Sequence, residues 1–453
     1  MPKLRPAVAV RGAVAVALTS LATSAAAQIY DSDNMVLLAH RDEFAGYSDL
    51  WGFVGTNGRE YVIQHTSSGT AWWDVDDPTS PTLVKVIAGP YSGWRDAFVI
   101  DDHAYIGTEG GGGIQIVDIS DPTDPTLVGT YTATVGNSHT IFGDAARKLL
   151  FVMGGFAADA NGGLQILDAA DPVNLVEVGR WPNQYVHDGS VEGNVFHACL
   201  INQGRLRLLD LTDPAAPAGL GIAYVDPTGA VHTSWPLGDG IHVAITEETP
   251  GGHLKILDVS TPSAITVTDQ DAPAPGTSAH NCHVQGDRLW VAWYTRGVRV
   301  YDVSDPAAIS EIGFFDTFPG AGSTYSGNWG VYPHLPSGIV AVNDISNGLF
   351  LLEFDEDAGT LDGTIASSVD GPLAGAVVEY ANHGIELTTD AGAAYRFAVH
   401  AGGGHTIRVS AYGHAPDSAT VGVAPDGTTT TDFVLSKYPA GGLAGRITDS
   451  VSG

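Results

Sequence analysis

Through most of this chain, apolar and polar residues alternate in short runs, and each run stops at a turn. Residues 114–128, IQIVDISDPTDPTLV, show the pattern most clearly. Alternation with period two predicts a strand with one face buried. Pro122 and Pro125 have no N–H to give to a ladder, so the strand ends before them, and Asp121 ahead of Pro122 favours a turn. A second apolar run then begins the next strand.

The phrase recurs. It appears as TAWWDVDDPTSP around Asp74, LQILDAADPVNL around Asp168, LRLLDLTDPAAP around Asp210, LKILDVSTPSAI around Asp258 and VRVYDVSDPAAI around Asp302. A seventh copy, GLFLLEFDEDAG, has Glu353 in the Asp position and lacks the prolines. Successive copies are 42 to 51 residues apart. In the second unit RDAFVI, HAYIGT, IQIVDI and TLVGTY read as four strands from inner to outer, with a glycine turn at 110–113. A repeat in the forties with four strands per unit predicts a β-propeller. The repeated Asp is expected to bond turn N–H groups of its own unit.

The last unit offers only three strands, WGVYPH, GIVAVND and GLFLLEF, whereas residues 34–42, NMVLLAHRD, form a strand with no unit of their own. Joining the two closes a ring and leaves no free edge. The expectation is an all-β protein, a seven-bladed β-propeller with N-terminal strand closure over residues 28–355. Six blades with the seventh phrase outside the ring is the alternative.

LQILDAADP and IQIVDISDPTDP resemble the LVIVD repeat of exported bacterial propellers. SDLWGF, WRDAFVIDDHAYI, YVHDGSV, AHNCHV and the block from GFFDTFP to NGLFLLE resemble the choice-of-anchor B proteins. This resemblance covers residues 33–354. It implies the propeller fold and an exterior location, with varied anchors after the propeller and no general enzymatic assignment. WWDV at 72–75 lacks the Gly-His partner of a WD repeat.

Beyond the propeller, aromatic content falls and GTIASSV, AGAVVEYA, IELTTD, YRFAVHAG, HTIRVSAYG and TTTDFVLS read as short strands with Gly and Asp turns. They predict a small C-terminal β-sandwich over residues 359–436. The stretch from PLAGAVVEY to SAYGHAP resembles the carboxypeptidase regulatory-like, transthyretin-related domain, which implies a structural or adhesive spacer. Residues 437–453 read as a linker and the start of a possible second sandwich, because GRITDSVSG aligns on GTIASSVDG.

At the amino end, Lys3, Arg5 and Arg11 precede a short apolar stretch and Ala25-Ala26-Ala27. This is the pattern of a signal peptide, residues 1–27, too short to span a membrane. It predicts Sec-type export to the cell surface, the exterior or the periplasm, with no transmembrane segment in the given chain. The net charge of −31 disfavours nucleic acid as a partner. Cys199 and Cys282 are the two cysteines. They fall in non-adjacent units and are expected to be free thiols.

Candidate chemistry lies where the inner strands begin. Asp49, Asp96, His139, His187, His232, His280 and Asn328 recur at nearly constant phase and are expected to ring the channel mouth. Arg95, Asp188 and Trp329 adjoin them, and His65, Glu109, Glu247, Glu248 and Asp344 lie on loops reaching the same face. His139, His187, His232 and His280 are candidate ligands for a divalent metal, since neutral imidazole suits zinc, copper, iron and nickel. A purely structural alternative is that these groups tie neighbouring blades together. His283 is expected to turn to the opposite side of its strand. With no Gly-x-Ser-x-Gly or His-Glu-x-x-His present, the sequence favours a platform binding a surface protein, glycan or small ligand. A metal-dependent hydrolase or lyase is the alternative.

Overall fold

The structure is a computed structural model that describes residues 30–155, 161–225, 229–271 and 275–439. The signal-peptide region and the second-sandwich start at 445–453 lie outside the described residues. Strands dominate, and the one helical element among the described residues is a three-residue 3-10 turn, Ile201–Gln203. Among the described residues, no helix is long and apolar enough to cross a membrane.

The described residues between 32 and 354 build seven antiparallel sheets, six around four strands of one repeat unit and the seventh from three such strands and an N-terminal one. Their first strands are Tyr47–Val54, Arg95–Ile100, Thr140–Asp144, Asp188–Glu192, Val231–Pro236, Cys282–Gln285 and Asn328–Tyr332, which number sheets 1 to 7. The four runs of the second unit fold as Arg95–Ile100, His103–Thr108, Ile114–Asp118 and Thr126–Tyr131, in that order across sheet 2. In sheet 7, Met35–Arg41 pairs with Gly348–Phe354 as the fourth strand. The chain reaches it from sheet 6, where Ser32–Asp33 adds a fifth strand beside Ser310–Phe315. Asn34 makes the turn between the two sheets at φ 54°, a left-handed conformation that Asn tolerates, and its Nδ2 donates to Ile312 O at 2.8 Å.

The one-faced burial expected of the third strands is corrected. In sheet 2, Ile114 and Ile116 pack toward sheet 3, while Val117 packs toward sheet 1. Both faces are covered because each sheet stands between two others. Buried clusters fill the spaces between sheets 1 and 2, 2 and 3, 3 and 4, 4 and 5, 5 and 6, 6 and 7, and also 7 and 1. The outer strands are half exposed, as in Thr126–Tyr131. Cys199 and Cys282 are both free and buried.

The recurrent Asp does what its turn requires. Asp74, Asp118, Asp168, Asp210, Asp258 and Asp302 each accept the N–H two residues on, at 2.7–3.1 Å. In five copies the next Asp repeats the device, as with Asp121 and Thr123 N–H at 3.0 Å. The turns dock on the preceding sheet. A Cβ on Gly179, in the outer strand of sheet 3, would lie 1.9 Å from Pro214 O in the turn of sheet 4, and Gly221 stands in the same relation to Pro262.

Residues 359–435 form two further sheets that share one core. One joins Gly359–Ser367 to Ala394–Val399, and the other runs Ile385–Thr388, Val377–Tyr380, Gly402–Ser410 and Asp417–Val423. The strand Asp417–Val423 is absent from the sequence reading because polar and small residues fill it; it forms by pairing along Gly402–Ser410. The expected single strand at TTTDFVLS is two, Thr428–Thr430 and Phe433–Leu435, both parallel to Gly359–Ser367. The core of these sheets continues into sheets 6 and 7, and His383 Nδ1 donates to Leu37 O at 2.9 Å.

Two outcomes follow from the turns. The carboxyl of Asp118 is held below its usual pKa by the Ser120 hydroxyl and N–H. A lowered folded-state value means that its contribution is present above the unfolded value of 3.8 and is lost as the pH falls through the folded one. Asp118→Asn keeps the acceptor and removes this loss, so urea unfolding from pH 7 to 3 should show a smaller acid decline than in the wild type. Asp118→Ala should cost under about 1 kcal/mol at pH 7, since the bond is at the surface. Gly179→Ala should destabilise by about 1–3 kcal/mol through overpacking. Gly129→Ala, whose nearest new contact is 3.9 Å away, should leave the melting temperature nearly unchanged.

Candidate functional site

The polar residues at the starts of the inner strands form two rows, not one. Asp49, Asp96 and Asp188 share one local geometry: each Oδ1 accepts the N–H of the following residue, Leu50, Ala97 and Gly189, at 2.8, 2.7 and 2.6 Å. Asp49 and Asp96 therefore match Asp188, and not the histidine that precedes it. The first row is Ser48, Arg95, His139, His187, His232, His280 and Trp329. The second is Asp49, Asp96, Thr140, Asp188, Thr233 and Asn281, with Gly330 against Asp49 in sheet 7, while Asn328 donates to Gly330 O and Asn343 O within its own sheet. The expected single ring is corrected accordingly. Register shifts just inside the first strands of sheets 1, 5 and 7 accompany the doubling, since a bulge re-aims neighbouring side chains.

The second row is a hydrogen-bonded belt between sheets. Asp96 Oδ2 accepts Ile141 N–H at 2.9 Å. Thr233 Oγ1 donates to Asp188 Oδ2 at 2.7 Å and lies 3.0 Å from Asn281 Oδ1, and Asn281 Nδ2 donates to Asp49 Oδ2. This row fulfils the structural alternative. Removal from bulk water raises all three carboxyls: Asp49 to about 7, with Asp188 adding to the rise; Asp188 to about 6; and Asp96 well above its ordinary value, with Asp49 adding to the rise.

The first row behaves differently. The four imidazoles form an arc, with ring centroids 4.0 Å apart from His139 to His187, 4.5 Å from His187 to His232 and 4.0 Å from His232 to His280. Trp329 continues the arc 4.5 Å beyond His280. Outside them stand Trp94 and Tyr325, each 45 % exposed. Burial first, then neighbouring imidazoles, hold His187 and His232 well below the usual histidine pKa, and burial brings His280 to about 3. These three rings are therefore neutral at pH 7.

Their Nδ1 atoms are committed. His139 Nδ1 donates to Glu109 Oε1 at 2.7 Å, and His280 Nδ1 to Trp329 O at 2.9 Å. His232 Nδ1 lies 2.8 Å from Thr233 Oγ1, whose hydrogen is given to Asp188, so this nitrogen also donates. His187 Nδ1 is 3.3 Å from Tyr185 OH. The lone pairs of His232 and His280 are thus on Nε2, and the Nδ1 bond of His139 leaves its Nε2 as the ring atom free of Glu109. Two sets could hold a metal ion, His139 with His187 and His232, and His232 with Glu248 and His280; in each set one ligand atom per residue lies within 4.8 Å of the others.

Other expected members serve elsewhere. Arg95 lines the mouth, but its guanidinium donates to Thr66 O and Pro90 O at 3.3 and 2.6 Å. Glu247 is buried in an ion pair with Lys255 at 2.5 Å. Asp344 accepts from Thr317 and two backbone N–H groups. His65 Nδ1 meets Arg95 O at 2.9 Å.

Below the belt the channel is blocked by rings. Trp51 touches Phe98, Phe142, His283 and Tyr332, from four other sheets, at centroid distances of 4.8–6.4 Å. Trp235 stacks on His283 at 4.1 Å. His283 is therefore in the channel, contrary to the alternation argument, because its strand begins only at Cys282 and His280 precedes the pleat. The sequence does carry a signal for the belt and its partners: a polar pair, His-Thr, His-Asp, His-Thr and His-Asn, stands at the head of sheets 3 to 6.

Asp188→Asn tests the belt. A carboxyl with a raised folded-state pKa adds stability that is fully present below the unfolded value and is lost as the pH rises through the folded one. Asn can donate to Thr233, whose hydrogen then turns to Asn281 Oδ1. The variant should therefore exceed the wild type by roughly 1–3 kcal/mol at pH 8 and match it near pH 4. Urea unfolding at the two pH values measures the difference.

Residues 95–133, 146–182 and 276–317 match the LVIVD repeat. No curated protein matches the chain in sequence. Among solved structures, the WD40 β-propeller domain of Doa1 superposes with a TM-score of 0.51 and 14% identity, over 72% of this chain and 98% of that one. Identity this low speaks for the fold alone. Together with the four-stranded sheets, these matches make the chain an all-β protein that carries LVIVD repeats and has the fold of the β-propellers.

Proposed function

We propose that the seven sheets close into a seven-bladed propeller, exported to the cell exterior, whose channel mouth is a dead-end binding pocket. The observation that carries this reading is the ring plug around Trp51, because a channel blocked one layer below its mouth receives a ligand and does not conduct one. Closure is supported by the buried cluster between sheets 7 and 1, which is of the same kind as the other six. The two C-terminal sheets serve as a spacer of the carboxypeptidase regulatory-like type, carrying the propeller at a surface.

The pocket has polar walls and an aromatic rim. Trp94 and Trp329 stand 6.5 Å apart at 63°, and Tyr325 packs on Tyr294, which itself meets Trp329. Such a rim suits a ligand with a flat apolar face and several hydroxyl or amide groups, as sugars and chain ends of surface proteins have. A hydrolase or lyase is favoured by one feature, Asp49 held near neutral pKa at the pocket wall.

Oligosaccharide and peptide arrays probed with the full chain should yield a ligand that Trp94→Ala and Trp329→Ala each weaken at least about tenfold, the loss of roughly 1.4 kcal/mol of stacking. A ligand whose affinity neither substitution alters would place binding elsewhere and overturn the reading.

A further inference from the structure

We propose that the channel mouth holds one divalent first-row transition-metal ion, zinc being the simplest case, on the Nε2 atoms of His139, His187 and His232. This rests on the mouth being the binding site, and it names an ion held in its wall.

The argument begins with the two nitrogens at its centre. His187 Nε2 and His232 Nε2 are buried and meet no hydrogen-bonding partner in the protein. A buried polar atom left without a partner is costly, and such groups call for an explanation. Both residues belong to the set His139, His187 and His232, in which one ring nitrogen of each lies within 4.8 Å of the others. Ligands on one tetrahedral zinc, each about 2.0–2.1 Å from the ion, are about 3.3 Å apart. Small inward turns of three rings would close that gap.

The surroundings are those of metal-binding imidazoles. A ligating histidine almost always gives its other ring N–H to a carboxylate, a carbonyl or water, which fixes the tautomer. Here Glu109 takes the N–H of His139, and the Asp188–Thr233 relay takes that of His232. Nitrogen-only donors exclude calcium and magnesium, which demand oxygen, and leave zinc, copper, nickel, cobalt or ferrous iron.

The neighbouring set, His232, Glu248 and His280, is the weaker host. Glu248 Oε1 already accepts the Tyr294 hydroxyl at 2.6 Å, and this set uses only one of the two unpartnered nitrogens. Glu248 Oε2, 3.7 Å from His232 Nε2, is placed to stand at the edge of the ion's open side.

The test uses the full chain stripped with a chelator, then titrated with Zn2+ by equilibrium dialysis and with Co2+ by visible absorption. One ion per chain is expected, with the intense bands of a four-coordinate Co2+ site. His187→Ala and His232→Ala should abolish saturable binding, while His280→Ala should leave it little changed. Glu109→Gln keeps every ligand and should weaken zinc about tenfold or more, so the inference stays testable if an alanine variant fails to fold. Absence of saturable binding by the wild type overturns it, as does loss in His280→Ala with retention in His139→Ala. Trp94→Ala separates the two readings. If it keeps zinc and loses the array ligand, both stand. If the array ligand depends on Trp94 while zinc never binds, the metal falls and the pocket remains.

Discussion

The structure depends on covering both faces of each small sheet. Four short strands with apolar residues on both sides cannot stand alone in water, because either exposed face would leave a row of Ile, Leu and Val side chains wet. Each sheet of this chain solves the problem with its two neighbours, and the last sheet packs on the first. The repeat length follows from that arrangement. So does the tolerance of the motif: Glu353 replaces the Asp in the last copy, and the apolar residues that pack between sheets persist there, with Phe350 and Leu352 facing one side and Leu349 and Leu351 the other.

Stacking sheets about a common line has a chemical consequence. The first residues of every inner strand are brought close together although they lie more than forty positions apart in sequence. Polar groups gathered in this way must satisfy one another or bind something. The second row takes the first course, through the contacts among Asp96, Ile141, Asp188, Thr233, Asn281 and Asp49. The first row does so only on the Nδ1 side of its rings. That division, one row closed on itself and the other with nitrogens to spare, is what gives the mouth its chemistry. The rings around Trp51 then set its depth.

The outer edge of sheets 6 and 7 is handled by a different segment. The chain from Ser32 to Arg41 adds one strand to sheet 6 and one to sheet 7, turning at Asn34. The C-terminal sheets then lie against the second of these strands and share its core, with Met35 and Leu37 buried among their residues. An edge that would otherwise offer free backbone groups is covered twice, which is how sheet proteins avoid pairing with other chains.

Local physics was legible in the sequence. Period two gave the strands, Pro and Asp gave the turns, and the six Asp residues make the bonds expected of them because an Asx turn involves only three consecutive residues. The stray strand at 34–42 could be assigned its partner because an unpaired ladder in the last unit had to be filled. What the sequence alone could not decide is where each side chain points once a strand begins irregularly. The step of 43 residues from Asp96 to His139 is the shortest in a series that runs up to 48, too small a departure to separate two rows, and only the shared N–H bonds of Asp49, Asp96 and Asp188 do so. His283 was placed on the wrong side for the same reason, since alternation holds inside a pleat and not before it. Arg95 was turned away by backbone carbonyls from sheet 1 and the loop after it, and Asp417–Val423 became a strand through its neighbour rather than its composition. Such outcomes depend on contacts distant in sequence, and the tertiary structure decided them.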